Sequence, residues 1–591
     1  MDTTSSNTAP LASKSIQYLF IALYFVAAAY VCWLEDPVHR AVTMDNKIYY
    51  FVSERVASGE VPHISLVDHK HALSSLLSGW AIAIGRAVGV EDLLASRIVS
   101  IAVASGTVAA VWALSLRLTG TLFGAHISGL VMLTFSSFLI QGTIGMRPKV
   151  FMAFFMVLGL LALSDRKPAR SGAYGCAAFL CWQPALLVLG AAAAATLFVE
   201  RRRASVLRMV GGIVAVFLAY EAYFAWHGAL GEQLYQSFIM ASDTTFKRYP
   251  SAWPSLKFVL RPGPAAHRAE LVFPLVLLLC LAATLLFAAL RPRQLIRELA
   301  ERSDKCAVLL GAFLATAFTL LDHQGYPDRF FMQPFTALAC GVFGAWLVNR
   351  VTDGRRPLIR SAVAAACMLA VAVPALPSLK ARHPRRQQEA REYLANNVER
   401  IIEHYGTLWC IGCMDLLAIR RLPNHSPFGM IIDPRVRSYA MTKAIGSPYQ
   451  PLEADELPAV ILGQRYPERQ MLPWLPDLYE RLEMTPFKGS RIRVWVRKDA
   501  PSAPRWLRSS KAQLAARDRR RESRAQRDPH DSIASMLAAI GYPDCDLQSC
   551  DTNGDGRLTT TDVQELVVCG LPSDSTARAA CLRERNNTAA N

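Results

Sequence analysis

Charged residues are scarce in this sequence. Asp, Glu, Lys and Arg make up 19% of its 591 residues, whereas about 25% is usual in a soluble globular domain. Hydrophobic residues make up 52%, a share that excludes the disordered, collagen-like and small disulfide-framework classes of protein. Internal repeats and nucleic-acid-binding motifs are lacking as well, so we expect no nucleic acid among the partners.

Apolar runs recur between Tyr18 and Ala375. A run of about 20 such residues can cross a hydrocarbon core of about 30 Å. The runs therefore predict a polytopic α-helical membrane protein with about 11 spans, the first of them retained and not cleaved as a signal peptide. The predicted spans are Tyr18–Leu34, Leu94–Leu118, Leu122–Ile140, Val150–Leu163, Ala173–Trp182, Ala185–Val199, Val210–Trp226, Leu271–Leu290, Ala307–Leu321, Phe330–Val348 and Ser361–Ala375.

The orientation of the spans depends on Gln183-Pro184, where the short fifth and sixth spans meet. A proline there can end one helix and start the next; the alternative is one kinked span, which would invert all later topology. With a true turn and a cytoplasmic N terminus, every strongly basic loop faces the cytoplasm, as the positive-inside rule requires. These loops are 165–170, 200–208, 291–305 and 350–360. The loops 35–93 and 227–270, and the chain after Pro374, then face outward.

Composition divides the chain into four parts. Residues 1–378 form the predicted membrane domain, whose first outer loop, 35–93, is long and only partly polar. Within it, Leu73–Val90 predicts a helix that lies in the membrane interface; a full span that contains Arg86 is the alternative. Residues 379–500 alternate helix and strand patterns and predict an extracytoplasmic α/β domain. A basic linker at 501–530 and a small module at 531–591 follow. The linker is a solvated tether or a segment that binds anionic headgroups.

The first outer loop has a distinctive order of residues. Its elements are Asp45, Tyr49, Gly59, Pro62, Asp68, Lys70 and Leu73. This order resembles the first outer loop of the GT-C superfamily of glycosyltransferases, most closely the branch of protein O-mannosyltransferases and lipid A aminoarabinose transferases. Two positions depart from the family pattern. Asn46 stands where many members have Glu, and His71-Ala72 replaces a Pro-Pro pair.

Three further segments extend the resemblance over residues 15–500. They are Arg97-Ile98-Val99-Ser100 at the second span, Arg147-Pro148-Lys149 before the fourth, and Asp328-Arg329-Phe330-Phe331 with Pro334. The resemblance implies a polyprenyl- or dolichyl-phosphate-linked sugar donor and usually an inverting transfer. It also implies an extracytoplasmic acceptor, which is a glycan, a lipid or a protein, and no nucleotide cofactor. It leaves open whether the transfer site holds a metal.

Sugar transfer from a lipid phosphate needs a base for the acceptor's proton and cations for the phosphate. Asp45, at the membrane–water boundary, is the predicted general base; its alternative role is to cap the helix beginning near Lys47. Asp68 is a second catalytic carboxylate, a group that orients Lys70, or a solvated loop acid. The predicted phosphate-binding residues are His69, Lys70, Arg147, Lys149 and Arg329. Any one of them alone would be an interfacial anchor by default.

Two other functions compete with sugar transfer. A transporter or lipid flippase would need ionisable residues inside the spans or broken helices at mid-membrane. Here the ionisable residues cluster at span ends, with Glu221 as the chief exception. A calcium-dependent membrane scaffold would account for the C-terminal module but would leave the pattern from Asp45 to Leu73 unexplained.

The C-terminal module contains an EF-hand-like loop from Asp551 to Asp562. Its ligand positions one, three, five, seven, nine and twelve are Asp551, Asn553, Asp555, Arg557, Thr559 and Asp562. Gly556 supplies the sharp turn at position six, and Arg557 would offer its backbone carbonyl. We therefore predict that the loop binds Ca²⁺, as in dockerin-like modules; the alternative is an Asx-rich turn between two helices.

The cysteines indicate the compartment. Six of the 13 lie in the polar C-terminal part: Cys410, Cys413, Cys545, Cys550, Cys569 and Cys581. An even set there fits an oxidising environment. The pair Cys410 and Cys413 predicts a local disulfide or two free thiols, with redox activity as the alternative. We predict an integral protein of a bacterial inner membrane whose C-terminal domains are periplasmic.

Overall fold

The computed structural model describes residues 13–43, 45–200, 203–242, 269–300, 302–321, 326–352, 357–372, 385–426, 436, 457–464, 475–482, 492–502 and 504. The predicted calcium module at 531–591 and nearly all of the basic linker lie outside the described residues. The described part contains a helical membrane domain, its first outer loop and a small α/β domain.

Each predicted span coincides with a helix. The membrane part and its loops contain α1 (Lys14–Leu34), α2 (Asn46–Ala57), α3 (Leu73–Ala87), α4 (Asp92–Thr119), α5 (Leu122–Thr134), α6 (Ser136–Ile144), α7 (Pro148–Ser164), α8 (Pro168–Cys181), α9 (Leu186–Glu200), α10 (Arg203–Trp226), α11 (Leu230–Leu234), α12 (Ala269–Leu290), α13 (Pro292–Ala300), α14 (Ser303–Leu321), α15 (Gln333–Thr352) and α16 (Pro357–Ala372). Helices α2 and α3 belong to the first outer loop, and α11 opens the loop that begins at residue 227.

Six helices of the described residues are long and apolar enough to cross a membrane alone, namely α1, α4, α10, α12, α14 and α15. Helices α5 and α6 make a seventh candidate, although the chain bends by 60° between them. The helix breaks at Phe135, so the predicted span from Leu122 to Ile140 corresponds to two helices and not to one. Helices α7, α8, α9 and α16 have only 14 to 17 residues, so the count of about 11 spans stays a prediction.

The Gln183-Pro184 pair forms a true turn. Helix α8 ends at Cys181, a 3₁₀ turn covers Gln183–Ala185, and α9 begins at Leu186. Trp182 is extended, which stops the incoming helix, and proline suits the first turn of the next element. The structure thus has two helices here, whereas their assignment to two spans and not to one kinked span stays a prediction. The orientation relative to the cytoplasm stays a prediction.

Contacts between helix ends support the alternating arrangement. Arg117, near the end of α4, places its Nε 3.1 Å from Oδ1 of Asp165, which follows α7. Ser164 donates a hydrogen bond to Asp304 at the start of α14, at 2.8 Å. These three helix ends all belong to the predicted cytoplasmic side, and they meet in the structure.

Arg97 fixes the start of the first outer loop. Its side chain is fully buried in α4. The guanidinium donates to the carbonyl oxygens of Ile144, at 3.1 Å, and of Pro37, at 2.5 Å, and also to that of Arg40. The planar guanidinium has N–H groups in fixed directions, so it can donate to three carbonyl oxygens that have no partner within a helix or strand. The arginine therefore holds the segment before Asp45 against α4 and α6.

Helix α3 has a polar face toward the protein and an apolar face outward. Ser74, Ser75 and Ser78 are buried, whereas Trp80 and Ile84 are 46% and 67% exposed. Its 15 residues fall short of the about 20 that a span needs. Both observations favour the predicted interfacial helix over a full span.

The α/β domain contains α17 (Arg385–Tyr405), β1 (Leu408–Ile411), α18 (Asp415–Ile419), β2 (Val460–Gln464), α19 (Leu475–Leu478), β3 (Tyr479–Leu482) and β4 (Ile492–Arg497). The sheet order is β1-β2-β4-β3. Strands β1 and β2 are parallel, and the other two pairings are antiparallel. The sequence patterns predicted a helix at Gln388–His404 and strands at Leu408–Cys410, Ala459–Leu462 and Arg491–Val496, which correspond to α17, β1, β2 and β4. They did not predict β3, whose residues, Tyr-Glu-Arg-Leu, lack a clear alternating pattern.

The α/β domain packs on the first outer loop. Trp409, Ile461 and Trp495 of neighbouring strands share a buried cluster with Val67 of that loop and Met240. Arg421 donates two hydrogen bonds to Asp92 at the start of α4, both at 3.0 Å. The loop is thus held between the membrane helices and the sheet.

Candidate active site

Asp45 lies at the N terminus of α2, beside a cation from a distant helix. Its side chain is 51% exposed, and Oδ2 is 3.1 Å from Nη2 of Arg147. The carboxylate makes no capping hydrogen bond to α2. The capping role is therefore wrong, because the charge of Asp45 is directed at Arg147 and not at the helix backbone.

Arg147 is oriented by two amide side chains. Its Nη1 donates to Oδ1 of Asn46 at 3.3 Å, and Nδ2 of Asn46 donates to Oε1 of Gln141 at 3.1 Å. Asn46 is fully buried. Many members of the resembled family have a glutamate at this position. Here the neutral amide of Asn46 accepts a hydrogen bond through Oδ1 and donates one through Nδ2.

The turn that carries Arg147 has a strained backbone. Gly145 and Met146, between α6 and α7, have φ values of 96° and 61°. The left-handed region is costly for a residue with a side chain, and such residues gather at functional sites. Met146 is fully buried, so packing holds the turn in this shape.

Tyr49 supports two of the predicted cations. It lies one turn after Asp45 on α2 and is 5% exposed. Nζ of Lys70 donates to its hydroxyl at 2.8 Å and lies 5.4 Å from its ring centroid. The guanidinium carbon of Arg147 is 6.0 Å from the same centroid. Tyr49 thus anchors Lys70 through its hydroxyl and has the guanidinium of Arg147 within cation–π distance of its ring.

Lys149 and Arg329 occupy the other side of the site. Nζ of Lys149 forms an ion pair with Asp328 and lies 4.6 Å from the ring centroid of Trp182. Arg329 is the next residue of the 3₁₀ turn Tyr326–Phe331 and is buried. Lys149 interacts with Asp45 through its charge, and the neighbour of Arg329, Asp328, joins this turn to the site by its ion pair with Lys149.

Asp68 and His69 shape the loop before Lys70. Oδ1 of Asp68 accepts a hydrogen bond from the backbone N–H of Lys70 at 3.3 Å and lies 3.5 Å from Nδ1 of His69. The carbonyl of His69 accepts from Nε2 of Gln183 at 2.9 Å. These contacts fit the predicted role of Asp68 as a group that orients Lys70.

Charge keeps the site ionised. Burial raises the pKa of Asp45, but the charges of Arg147, Lys70 and Lys149 lower it more, so its pKa falls below the ordinary value. For Lys70, burial lowers the pKa, but Tyr49, Asp68 and Asp45 raise it further, and the net shift is upward. At neutral pH Asp45 is therefore a half-exposed carboxylate beside the charged groups Arg147, Lys70 and Lys149.

Sequence reasoning missed the groups that connect these charges. Trp182 contacts the predicted site residue Lys149, and Gln141 contacts Asn46, which was noted only as a departure. Gln183, which bonds His69, did carry a signal, since it adjoins the proline at an outer helix end. In the described part of the chain, no group of three or more His, Cys, Asp or Glu side chains is arranged to hold a metal ion.

The CxxC pair forms a local disulfide. Cys410 and Cys413 are joined, and both are fully buried at the end of β1. A buried disulfide is inaccessible to the thiol exchange that a redox enzyme needs. The structure therefore favours the predicted local disulfide over redox activity.

The sequence matches no protein-family model and no curated protein. Among solved structures, the chain is similar to ArnT from Cupriavidus metallidurans bound to undecaprenyl phosphate, with 13% identity and a TM-score of 0.49. That match covers 84% of this chain and 100% of the other. The oligosaccharyltransferase of Archaeoglobus fulgidus in its apo form has 13% identity and a TM-score of 0.49, and the match covers 76% of this chain and 70% of the other.

A third similar structure is the archaeal oligosaccharyltransferase AglB from Archaeoglobus fulgidus in complex with an inhibitory peptide and a dolichol-phosphate. Its identity is 14% and its TM-score 0.45, with 78% of this chain and 70% of the other covered. TM-scores below 0.5 do not establish a common fold. The function proposed below therefore rests on the residues of the site.

Proposed function

We propose that this protein is an integral membrane glycosyltransferase that moves a sugar from a polyprenyl-phosphate donor to an extracytoplasmic acceptor. The observation that carries the proposal is the half-exposed carboxylate of Asp45, placed among the fixed cations Arg147, Lys70 and Lys149 at one end of the membrane helices. A base beside a set of cations that can bind phosphate is what this transfer requires.

Each group has a role in the reaction. The acceptor group's oxygen or nitrogen forms a bond to the anomeric carbon of the sugar, and Asp45 then takes the proton from that group. The bond from that carbon to the phosphate oxygen breaks, and the electron pair leaves with the polyprenyl phosphate. Lys70 and Arg147 stabilise the charge that develops on the leaving phosphate, and Lys149 and Arg329 add positive potential. Asp68 keeps Lys70 in position through its backbone.

The low pKa of Asp45 suits this order of events. A carboxylate that binds a proton weakly is a poor base for an un-ionised hydroxyl. It accepts the proton once bond formation to the sugar has made the acceptor oxygen acidic. We therefore expect proton transfer to follow departure of the phosphate, with the cations providing most of the rate acceleration.

Asp45→Asn tests the proposal. Purified protein in vesicles would be supplied with labelled polyprenyl-phosphate sugars, and release of polyprenyl phosphate measured. Loss of a general base predicts a fall in rate of about 10²–10⁴. Asp165→Asn is a matched control, because that carboxylate pairs with an arginine at the same 3.1 Å at the other end of the helices. Equal rates for Asp45→Asn and wild type would contradict the assignment of the base.

We also propose that residues 551–562 bind Ca²⁺ through the six ligand positions named above. The support is the sequence pattern, with alternating carboxylate and amide oxygens around Gly556. Asp562 is shorter than the usual Glu at position twelve, so we expect modest affinity. Calcium titration of the full chain, with Asp551→Ala and Asp555→Ala together as the variant, tests this. Equal binding by the variant and the wild type would refute it.

A further inference from the structure

A short helix that opens the second outer loop contacts the first outer loop. Helix α11 continues without a break into a π-helical turn at Tyr235–Met240. Gln233 and Gln236, three residues apart across this junction, are 0% and 1% exposed. π-Helical turns are rare and often lie at functional sites. We call the segment from Leu230 to Met240 the clamp helix.

Gln236 is bonded at both ends of its amide to the first outer loop. Its Oε1 accepts from the backbone N–H of Asp68 at 3.2 Å and lies 3.1 Å from Nδ1 of His63. Its Nε2 donates to the carbonyl of His63 at 2.9 Å. The amide thus joins the two ends of the segment that runs from His63 to Asp68.

His63 has a backbone conformation that needs such support. Its φ is 70°, in the left-handed region. A residue other than glycine pays for this conformation, although histidine tolerates it better than most. Gln236 binds both the carbonyl and the imidazole of His63, so the hydrogen bonds to the clamp helix compensate for the backbone strain.

Gln233 makes the corresponding contact on the other side of Lys70. Its Nε2 lies 3.4 Å from Nδ1 of His71, whose ring packs at 4.8 Å from the centroid of Phe179 and 5.1 Å from that of Phe238. His71 is one of the two residues that stand where the resembled family has Pro-Pro. A proline limits its own backbone; a histidine at this position has to be held from outside.

We propose that Gln236, with Gln233 and His71, is a positioning device for Lys70, and that the clamp helix thereby sets the affinity for the donor phosphate. The inference rests on the proposed function. The segment 63–71 is held at His63, Asp68 and His71, and Asp68 in turn binds the backbone N–H of Lys70. Lys70 Nζ then reaches the hydroxyl of Tyr49 with little freedom. Release of the segment removes a preorganised cation from the site.

The test replaces one buried side chain. Gln236→Met keeps the length and loses every hydrogen bond, namely those to His63, Asp68 and Glu232. We expect the KM for the polyprenyl-phosphate sugar to rise at least about tenfold in Gln236→Met, since more than one buried hydrogen bond is lost. The KM for the acceptor should stay within twofold.

Hydrogen exchange provides a second measurement that needs no substrate. In Gln236→Met the backbone amides of residues 63–71 should exchange at least tenfold faster, while those of α4 keep their protection. Gln294→Met is the control, because Gln294 is an exposed glutamine of α13 that bonds Glu298 at 3.2 Å. It should change neither exchange in the loop nor the KM.

The outcomes distinguish a failure of the proposed glycosyltransferase function from a failure of the positioning role of Gln236. If no polyprenyl-phosphate sugar is turned over by wild type but the loop exchanges faster in Gln236→Met, the proposed function fails and the clamp stands as a structural link. If wild type is active and Gln236→Met has an unchanged donor KM, the positioning role is overturned, even when the variant melts at a lower temperature. Unchanged exchange in the loop overturns it as well.

Discussion

Replacing Arg147 by glutamine removes the charge nearest to Asp45 while leaving a polar side chain. The guanidinium has three contacts in the structure, with Asp45 at 3.1 Å, with Asn46 at 3.3 Å and with the ring of Tyr49. Loss of one preorganised group that stabilises transition-state charge costs about 10²–10³ in rate. We expect the transfer rate of Arg147→Gln to fall by that factor, mostly in kcat.

Stability should change much less than the rate. The ion pair with Asp45 contributes about 0–1 kcal/mol, because the carboxylate is half exposed and screened by solvent. The buried Oδ1 of Asn46 loses its donor, at a cost of about 1–3 kcal/mol. A protein destabilised by this amount remains folded at room temperature, so a loss of rate near 10³ would come from the chemistry.

The pH dependence of the transfer rate tests the same contact independently, because the structure predicts the direction in which it shifts. Asp45 must be ionised to act as the base, and the cations hold its pKa below the ordinary value. Removal of Arg147 raises that pKa, so the activity of the variant should fall at a higher pH than that of wild type as the medium is acidified. Initial rates between pH 3 and pH 8, in vesicles prepared at one protein density, measure the acid limb.

Arg117→Gln is the matched control, since Arg117 pairs with Asp165 at the same distance on the other side of the membrane domain. It should leave the rate and the acid limb unchanged. The reasoning fails if Arg147→Gln transfers sugar within about threefold of wild type. It also fails if the rate falls but the acid limb of the pH profile does not move, because Arg147 would then have no effect on the pKa of Asp45.

Two further predictions concern stability. Arg97→Lys keeps a charge but has one nitrogen where three carbonyls need donors; we expect a loss of about 2–4 kcal/mol, measured as a lower midpoint of thermal unfolding, and an unchanged midpoint would refute the anchoring role. Burial lowers the pKa of His63 from 6.5 to about 4, despite its bond to Gln236 and the charge of Glu232. The histidine is then neutral in the folded and unfolded states above pH 6.5, and only the unfolded state binds the proton between pH 6.5 and pH 4. Stability should therefore fall by about 3 kcal/mol as the pH drops through that window, and His63→Gln should flatten the slope; equal slopes for the two proteins would contradict the assignment.

Much of the fold was predictable because its signals are local. Apolar runs gave the positions of most of the long apolar helices, although α10 begins seven residues before the predicted Val210, and Pro184 marked the turn between α8 and α9. The bend at Phe135 was missed, because a break inside an apolar run leaves no change of periodicity. Strand β3 was missed because four residues with two charges do not show a strand pattern.

The site was predictable in part. Asp45, Lys70, Arg147 and Lys149 do come together, and the order of motifs along the chain indicated them. The role of Asn46 could not be seen, since its partners Gln141 and Arg147 are about a hundred residues away in sequence. Tyr49 was recognised as part of a pattern, but its function as a support for two cations depends on where those cations lie.

The sequence by itself determined that this chain has a helical domain with several helices apolar enough to cross a membrane, and it predicted basic loops on one side and a carboxylate with a set of cations at the opposite helix ends. These properties follow from composition and periodicity within segments of about 20 residues. Only the tertiary structure decided which groups touch. The pairing of Asp45 with Arg147, and the hold of Gln236 on His63 and Asp68, join residues separated by 102, 173 and 168 positions. Such contacts depend on how helices pack, and that is settled by the shapes of all the buried side chains together.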